Sequence, residues 1–497
     1  MTDLYQNLIN GKWIDSGSGE TFANINPADR DDIVGNFQDS TVADIEAAVA
    51  AAQQARSGWR ALGAPRRGEI LARAARLIER DLEKIAAGLT REEGKTLPEA
   101  RGETARAVQI FDYFAGEGRR LSGETTPSEF GRTLLYTVRE PLGVVGLITP
   151  WNFPVAIPAW KLAPALVSGN TVVLKPASGA PLTALNIVRA LEEAGLPAGV
   201  LNFVTGSGSV AGVGLVASGA VAGVSFTGSD TVGCGIYALV TGRGGKAQCE
   251  MGGKNPLIVL ADADIDKAVE LAINGAMWST GQKCTATSRA IVHQSVVEEF
   301  TEKLLAGVAD IRVGNGAEPE TQVGPSIDET QLQTVLRYID IGKEEGARLL
   351  AGGERLTDPP LDRGFFVAPT VFGDVTPQMR IAQEEIFGPT VSVLPAEDLA
   401  DAVRIANGTR YGLSLAVYTR DLSRAFWAVD RLESGIVYVN APTIGAEIQL
   451  PFGGVKGTGN GHREAGTTAL DEFTEWKTVY IDYSGRLQRA QIDTGQG

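Results

Sequence analysis

The sequence predicts an α/β protein built on covered parallel sheets, and three observations carry that expectation. Apolar, strand-like runs at 143–149 (GVVGLIT), 171–174 (TVVL), 200–204 (VLNFV) and 223–226 (GVSF) alternate with helical stretches at 159–167, 181–194 and 209–218. Strand, helix, strand is the pattern of crossover connections, and runs that are apolar throughout fit strands covered on both faces. A second alternation starts near Pro256, with strands expected at 257–260, 289–292 and 436–440 and helices at 265–278, 296–308, 329–345 and 422–432. The chain of 497 residues, 43% hydrophobic and 21% charged, is long enough for two or three domains with ordinary cores.

The remaining segments follow in order. Residues 43–60 are Ala-rich, and 66–121 carries Leu71, Ala75, Ile78, Leu82 and Ile85 at three- and four-residue steps. The first part of the chain is therefore expected to be helical. Residues 134–138 form a β-type run with no evident local partner, and the Gly- and Pro-bearing stretch 352–373 reads as an excursion loop. The polar tail after Tyr483 is expected to fray or to pack on a partner.

Composition removes several function classes. Lys and Arg total 45 against 60 Asp and Glu, a formal charge of −15. That balance lacks the basic footprint of nucleic-acid or anionic-membrane binding. No apolar run approaches the roughly 20 residues needed to span a bilayer, and no signal pattern opens the chain. Three cysteines (Cys234, Cys249, Cys284) without a C-x-x-C pair suit a reducing compartment, so a cytoplasmic protein is expected. With only His293 and His462, no His-built zinc centre is possible; no metal site is expected, and the general base should be a carboxylate or a lysine.

Several short motifs could carry chemistry. The GSDTVG turn at 228–233 follows a strand and opens a helix, where backbone N–H groups can meet a diphosphate; read by itself it is equally an ordinary turn. Lys175, at the end of the 171–174 strand, lies where open α/β sheets bind ligands, or is simply a surface lysine. Cys284, beside Lys283 and near a helix end, is either a thiolate with a depressed pKa or a small buried residue; Cys234 and Cys249 suit the second reading better. Glu250 on a glycine turn is a general base or a solvated acid, and the pair Glu384 and Glu385 beside Phe387 is a ribose site or an acidic surface patch.

Taken together, TPWNFP at 149–154, KPAS at 175–178, FTGS at 226–229, EMGGKNP at 250–256, GQKC at 281–284, EEIFGP at 384–389 and PFGGVKGTG at 451–459 resemble the ordered motif set of the aldehyde dehydrogenase superfamily. The resemblance implies a Rossmann-type cofactor domain (1–121 and 142–252), an α/β catalytic domain (253–450), a returning segment beside the active site (451–470) and a small β oligomerisation arm (122–141 and 471–497). It implies a homodimer or homotetramer acting on a small-molecule aldehyde. Cys284 would attack the aldehyde, with the oxyanion held by the Asn152 amide and the Cys284 N–H, and hydride would pass to NADP or NAD. Glu250 would activate the deacylating water, with Lys161 and Glu464 behind it as a proton relay. Lys175 and Glu385 would hold ribose hydroxyls, Gly228 and Ser229 the diphosphate, and Phe387 the nicotinamide ribose. Thr149, Pro150, Trp151, Ala177, Ser178, Gly208, Gly233 and Met251 complete the implied cofactor site.

Two details refine this. Ser178 stands where members restricted to NAD commonly carry Glu, which removes a repulsion toward a 2′-phosphate, so NADP is expected to be accepted. The stretches at 281–289, 380–389 and 445–454 resemble those of members acting on α-ketoglutarate semialdehyde (2,5-dioxopentanoate); succinate semialdehyde and apolar aldehydes are the alternatives. Trp160 and Ser279 occupy positions where some acid-semialdehyde members carry arginine. A carboxylate anchor is therefore sought among Arg119, Arg120 and Arg289, or among backbone N–H groups and hydroxyls such as Thr285 and Ser288.

Overall fold

The structure, a computed structural model, describes residues 3–487; of the tail, residues 488–497 lie outside them. Five short strands, from Leu4–Tyr5 to Ile33–Gln38, open the described chain, which corrects the expectation of a helical start. They escape local reading because each is only two to six residues long; they pair largely with one another, and Leu8 also faces Phe203. Helix α1 (Val42–Ala61) starts on a Thr41–Asp44 capping box. The 66–121 stripe is three helices rather than one: α2 (Ala64–Arg80), α3 (Leu82–Glu93) and α4 (Leu97–Glu117). Asp81 breaks the first junction, and a Thr96–Glu99 capping box with Pro98 restarts the chain as α4.

A seven-stranded sheet runs in the order Lys246–Glu250, Gly223–Thr227, Val144–Thr149, Thr171–Pro176, Leu201–Phe203, Asn7–Ile9, Lys12–Ile14. Its first five strands are parallel. The crossovers between them are α5 (Ala156–Ser168), α6 (Pro181–Glu193), a π-turn at Gly208–Gly212 leading into α7 (Val213–Ala217), and α8 (Asp230–Gly242). The apolar-throughout strands have the expected cause. Leu147, Val172 and Leu174 pack against Leu162, Leu166 and Leu185 of α5 and α6. Val144, Ile148 and Val173, on the other face, meet Ile45 and Val49 of α1 and Leu215 of α7. Each such side chain contributes about 1.5–3 kcal/mol on burial.

A second seven-stranded sheet has the order Arg348–Ala351, Thr370–Gly373, Thr390–Ala396, Thr287–His293, Asn255–Val259, Ser414–Tyr418, Ile436–Val439. It corrects the expected loop at 352–373, whose last residues form a strand parallel to Thr390–Ala396. The TVFG run is too short, and too close to Pro369, to announce itself as a strand. Finally, Thr133–Pro141 finds its missing partner in Thr474–Asp482, paired antiparallel from Thr474 opposite Pro141 to Asp482 opposite Thr133. Thr125–Thr126 adds a third strand.

Candidate active site

The loop that delivers Cys284 is strained. Ser279, Thr280 and Gly281 all have positive φ (53°, 56° and 63°), rare for the first two. The conformation survives because α4 holds it: the Ser279 N–H donates to Glu99 Oε1 at 2.7 Å, while the other Glu99 oxygen accepts from the Thr96 N–H and hydroxyl. Thr280 Oγ1 donates to the Gly324 carbonyl. Only glycine fits at 281, where a Cβ would lie 2.1 Å from the Gly388 carbonyl oxygen.

The Asn152 loop hangs from the same helix. One turn beyond Glu99, Glu103 Oε1 accepts from the N–H groups of Val155 and Ala156, and Oε2 from Lys95 Nζ at 2.6 Å. Lys95 also donates to the Asn152 carbonyl at 2.7 Å. Asn152 is buried, and its amide donates to the Gln282 carbonyl at 2.9 Å, which ties it to the chain two residues before Cys284. One amide N–H remains for another acceptor.

Glu250 ends the strand Lys246–Glu250 and is buried. Oε1 accepts from Gln248 Nε2 at 3.2 Å, whereas Oε2 has no hydrogen-bond partner among the described residues. Behind it, the buried ammonium of Lys161 on α5 donates to Ser225 Oγ (2.7 Å), Gln248 Oε1 (3.3 Å) and Glu464. Glu464 arrives from the far end of the chain, paired through its backbone with Phe452. Burial, and then the charge of Glu464, raise the Glu250 carboxyl well above the ordinary range.

One cavity of about 420 Å³ joins these groups; Cys284, Glu250, Glu464, Thr285, Trp160 and Ser279 line it. Cys284 stays partly accessible, and of its two readings the depressed pKa is not favoured: burial first, then the charges of Glu385, Glu250 and Glu464, push the thiol up. Lys283 beside it is itself buried, which pushes its ammonium down to about 8. Cys249 is buried, as expected, whereas Cys234 is exposed, contrary to the expectation of a buried residue. Arg289 is buried but spends its guanidinium on the carbonyls of Lys254, Ile405 and Ala406. Arg119 and Arg120 reach only Glu69 and Glu117. Ser288 Oγ donates to the Asn255 carbonyl. None of these four lines the cavity; Thr285 does.

The implied cofactor residues cluster at the carboxyl ends of the first sheet. A groove of about 390 Å³ between α7 and α8 is lined by Lys175, Gly208, Gly212 and Phe226 among others. Lys175 is buried, its ammonium donates to the Pro176 carbonyl, and burial pushes it down to about 8. Ala177 and Ser178 follow it, with Ser178 Oγ on the Gly206 carbonyl at 3.2 Å. Thr149 ends its strand with a buried hydroxyl that has no partner, and after Pro150 the Trp151 ring sits edge-on to Phe387, centroids 5.4 Å apart. Ser229 caps α8, Gly233 packs against Met251, and the Gly228 N–H donates to the Glu250 carbonyl. Glu385 is half-buried against Gly252, where a Cβ would lie 2.2 Å from its Oε2; it accepts from the Gly253 N–H, and desolvation raises it to about 7. A buried lysine and a half-buried glutamate, each bonded to one backbone group, are groups that a ligand rich in hydroxyls and phosphates would complete.

Sequence reading missed Lys95, Glu99, Glu103, Arg106, Gln248 and Ser225. Glu99, Glu103 and Arg106 share one helical face, and Gln248 and Glu250 one side of a strand, so the signal was spacing. It needed the α4 start to be recognised first.

Comparison with known proteins agrees with this geometry. The aldehyde dehydrogenase family model matches residues 13–479. The chain is 50% identical to alpha-ketoglutaric semialdehyde dehydrogenase of Bacillus subtilis over 96% of this chain and 98% of that one. It is 44% identical to 2,5-dioxopentanoate dehydrogenase of Saccharolobus solfataricus over 96% and 99%. Among solved structures, betaine aldehyde dehydrogenase from Staphylococcus aureus in complex with NAD+ superposes with a TM-score of 0.95 at 35% identity, covering 97% of this chain and 95% of that one. With its motifs in order, its fold matched and its length covered, the chain belongs to the aldehyde dehydrogenase family of oxidoreductases.

Proposed function

We propose that the chain oxidises α-ketoglutarate semialdehyde to 2-oxoglutarate with NADP or NAD, through a thiohemiacetal and a thioester on Cys284. The observation that carries the reading is that Cys284 and the unpartnered Oε2 of Glu250 share one cavity. The substrate is supported by the names of relatives at 50% and 44% identity.

Sulfur attacks the carbonyl carbon, the C–S bond forms, and the thiol proton leaves for a nearby base. The remaining Asn152 amide N–H and the Cys284 N–H are the donors for the oxyanion; loss of one such donor costs about 10²–10³ in rate. Lys175, Glu385 and the groove between α7 and α8 would hold a nicotinamide dinucleotide, which would supply the acceptor for the hydride of the thiohemiacetal carbon and leave the thioester. Glu250 Oε2 holds the water that opens the thioester and takes its proton, with Lys161 and Glu464 behind it as the route for that proton and Gln248 holding Glu250 and Lys161 in place by hydrogen bonds. Cys284 is thereby regenerated and the carboxylic acid released.

On this reading the first sheet and its helices are the cofactor domain, the second the catalytic domain, and the strands Thr133–Pro141 and Thr474–Asp482 an arm toward another subunit of a homodimer or homotetramer. The free thiols suit a reducing cytoplasm. The test is absorbance at 340 nm with a panel of α-ketoglutarate semialdehyde, succinate semialdehyde and hexanal and each cofactor, for wild type and Cys284→Ala. Turnover of the first aldehyde should lead and vanish in the variant; hexanal leading tenfold, or a variant keeping more than a few per cent, refutes the reading. Ser178→Glu should shift preference from NADP toward NAD, and an unmoved ratio of the two kcat/KM values removes Ser178 from cofactor choice.

A further inference from the structure

A dicarbonyl acid needs more than a nucleophile: its carboxylate must find a cation in a largely apolar cavity. Phe153, Trp160, Trp278 and Phe452 form much of the wall, and an unpaired carboxylate among them would lose its hydration without return. Five carboxylate or ammonium side chains on this wall are already engaged. Glu99 holds the Ser279 loop, Glu103 and Lys95 hold each other and the Asn152 loop, and Glu464 holds Lys161. Glu250 is the fifth, bonded to Gln248 through one oxygen.

Arg106 is different. It lines the cavity from α4, one turn beyond Glu103 and two beyond Glu99, so it lies on the face that carries both supports. Among the described residues it has no hydrogen bond and no ion pair. The two acids nearest along α4, Glu99 and Glu103, accept from the Ser279 loop, from Lys95 and from the N–H groups of Val155 and Ala156, and neither bonds Arg106. Beside Cys284, Lys283 adds a second positive charge to the same wall, and among the described residues its ammonium makes one hydrogen bond, a 3.5 Å contact with the Asn274 carbonyl.

Resting on the substrate proposed above, we infer that Arg106 is the specificity-determining residue of this enzyme, its guanidinium anchoring the distal carboxylate of the aldehyde acid. A planar guanidinium offers two parallel N–H donors to a carboxylate, which fixes the orientation of the chain as well as its charge. Lys283 reinforces the potential from the cysteine side. The low pKa that burial imposes on it is relieved when an anion enters the cavity. This also accounts for Trp160 and Ser279: the anchor has moved to α4, and those positions are left to shape the wall.

The experiment measures kcat/KM for α-ketoglutarate semialdehyde and for pentanal, which has the same carbon count and no carboxylate. Wild type, Arg106→Gln, Arg106→Lys and the surface control Arg120→Gln are compared. The wild type should prefer the acid at least tenfold. Arg106→Gln should lose about 10- to 100-fold of that preference, chiefly through KM, the range for a hydrogen-bonded charge. Arg106→Lys should recover part of it, and Arg120→Gln should leave the ratio unchanged. A wild type that prefers the acid and an Arg106→Gln variant within threefold of its ratio overturn the anchor alone. A wild type with no preference overturns the substrate reading, and the anchor with it.

Discussion

Two sets of charged groups meet at the cavity, and they differ in how completely the protein satisfies them. Behind Glu250 the Lys161 ammonium has three side-chain acceptors, one of them Glu464, and Gln248 bridges it to Glu250. On the cavity wall, the Arg106 side chain has no partner among the described residues, and the Lys283 ammonium has one long contact. A buried network with its bonds made is rigid and costly to alter. An unbonded cation on a cavity wall contributes little to the resting fold, so its position is free to serve a ligand. The first set reads as built machinery, the second as a receptor.

Four changes break or sharpen that contrast. The largest effect belongs to Glu250→Gln, which should cost about 10²–10⁴ in steady-state turnover while sparing a burst of reduced cofactor. Rapid-quench kinetics checks it, and an unchanged steady state would move the base elsewhere. Next, Lys161→Met leaves Glu464 buried without its cation, which costs about 3–5 kcal/mol; Arg106→Gln should stay within about 0.5 kcal/mol of wild type. Urea unfolding of the two side by side tests the contrast directly, and equal losses would erase it.

The third change concerns pH. Because the Glu250 carboxyl is raised by burial and by Glu464, its basic form grows as pH rises, so kcat should climb from neutral into alkaline pH. Glu464→Gln removes the like charge and frees Lys161 to act on Glu250, and both shift the inflection to lower pH. A kcat–pH profile that does not move would uncouple the two acids. The smallest effect is expected for Ser225→Ala, where Lys161 loses one of three acceptors at a cost of about 1 kcal/mol, read from the same urea curves.

The parallel strands of the first sheet were legible because burial on both faces leaves a continuous apolar run with turns at each end. The opening strands and Thr370–Gly373 were not, since runs of two to six residues carry too little pattern to announce themselves, and Asn7–Ile9 also depends on a partner near Phe203. At the site, motifs named Cys284, Glu250, Asn152, Lys161 and Glu464, and the structure brings Cys284, Glu250 and Glu464 to one cavity with Lys161 bonded behind. What the motifs could not supply was the electrostatic state of Cys284. Adjacency to Lys283 suggested a lowered pKa, but burial and three carboxylates decide it the other way. Glu99 and Glu103 were hidden for a related reason: an acid on an amphipathic helix looks solvated until the loops it holds are known.

The pair of Lys161 and Glu464 spans 303 residues of chain. At translation rates of about 5–20 residues per second, the lysine leaves the ribosome about 15–60 s before its carboxylate exists. Through that interval α5 carries an ammonium whose native burial lacks its counter-charge, and Asn170 awaits the Phe473 carbonyl across an equal separation. Until then the ammonium has only Ser225 and Gln248, on strands of its own sheet, as acceptors among its native partners, and the late segment that brings Glu464 and Phe473 completes the centre of a sheet made hundreds of residues earlier.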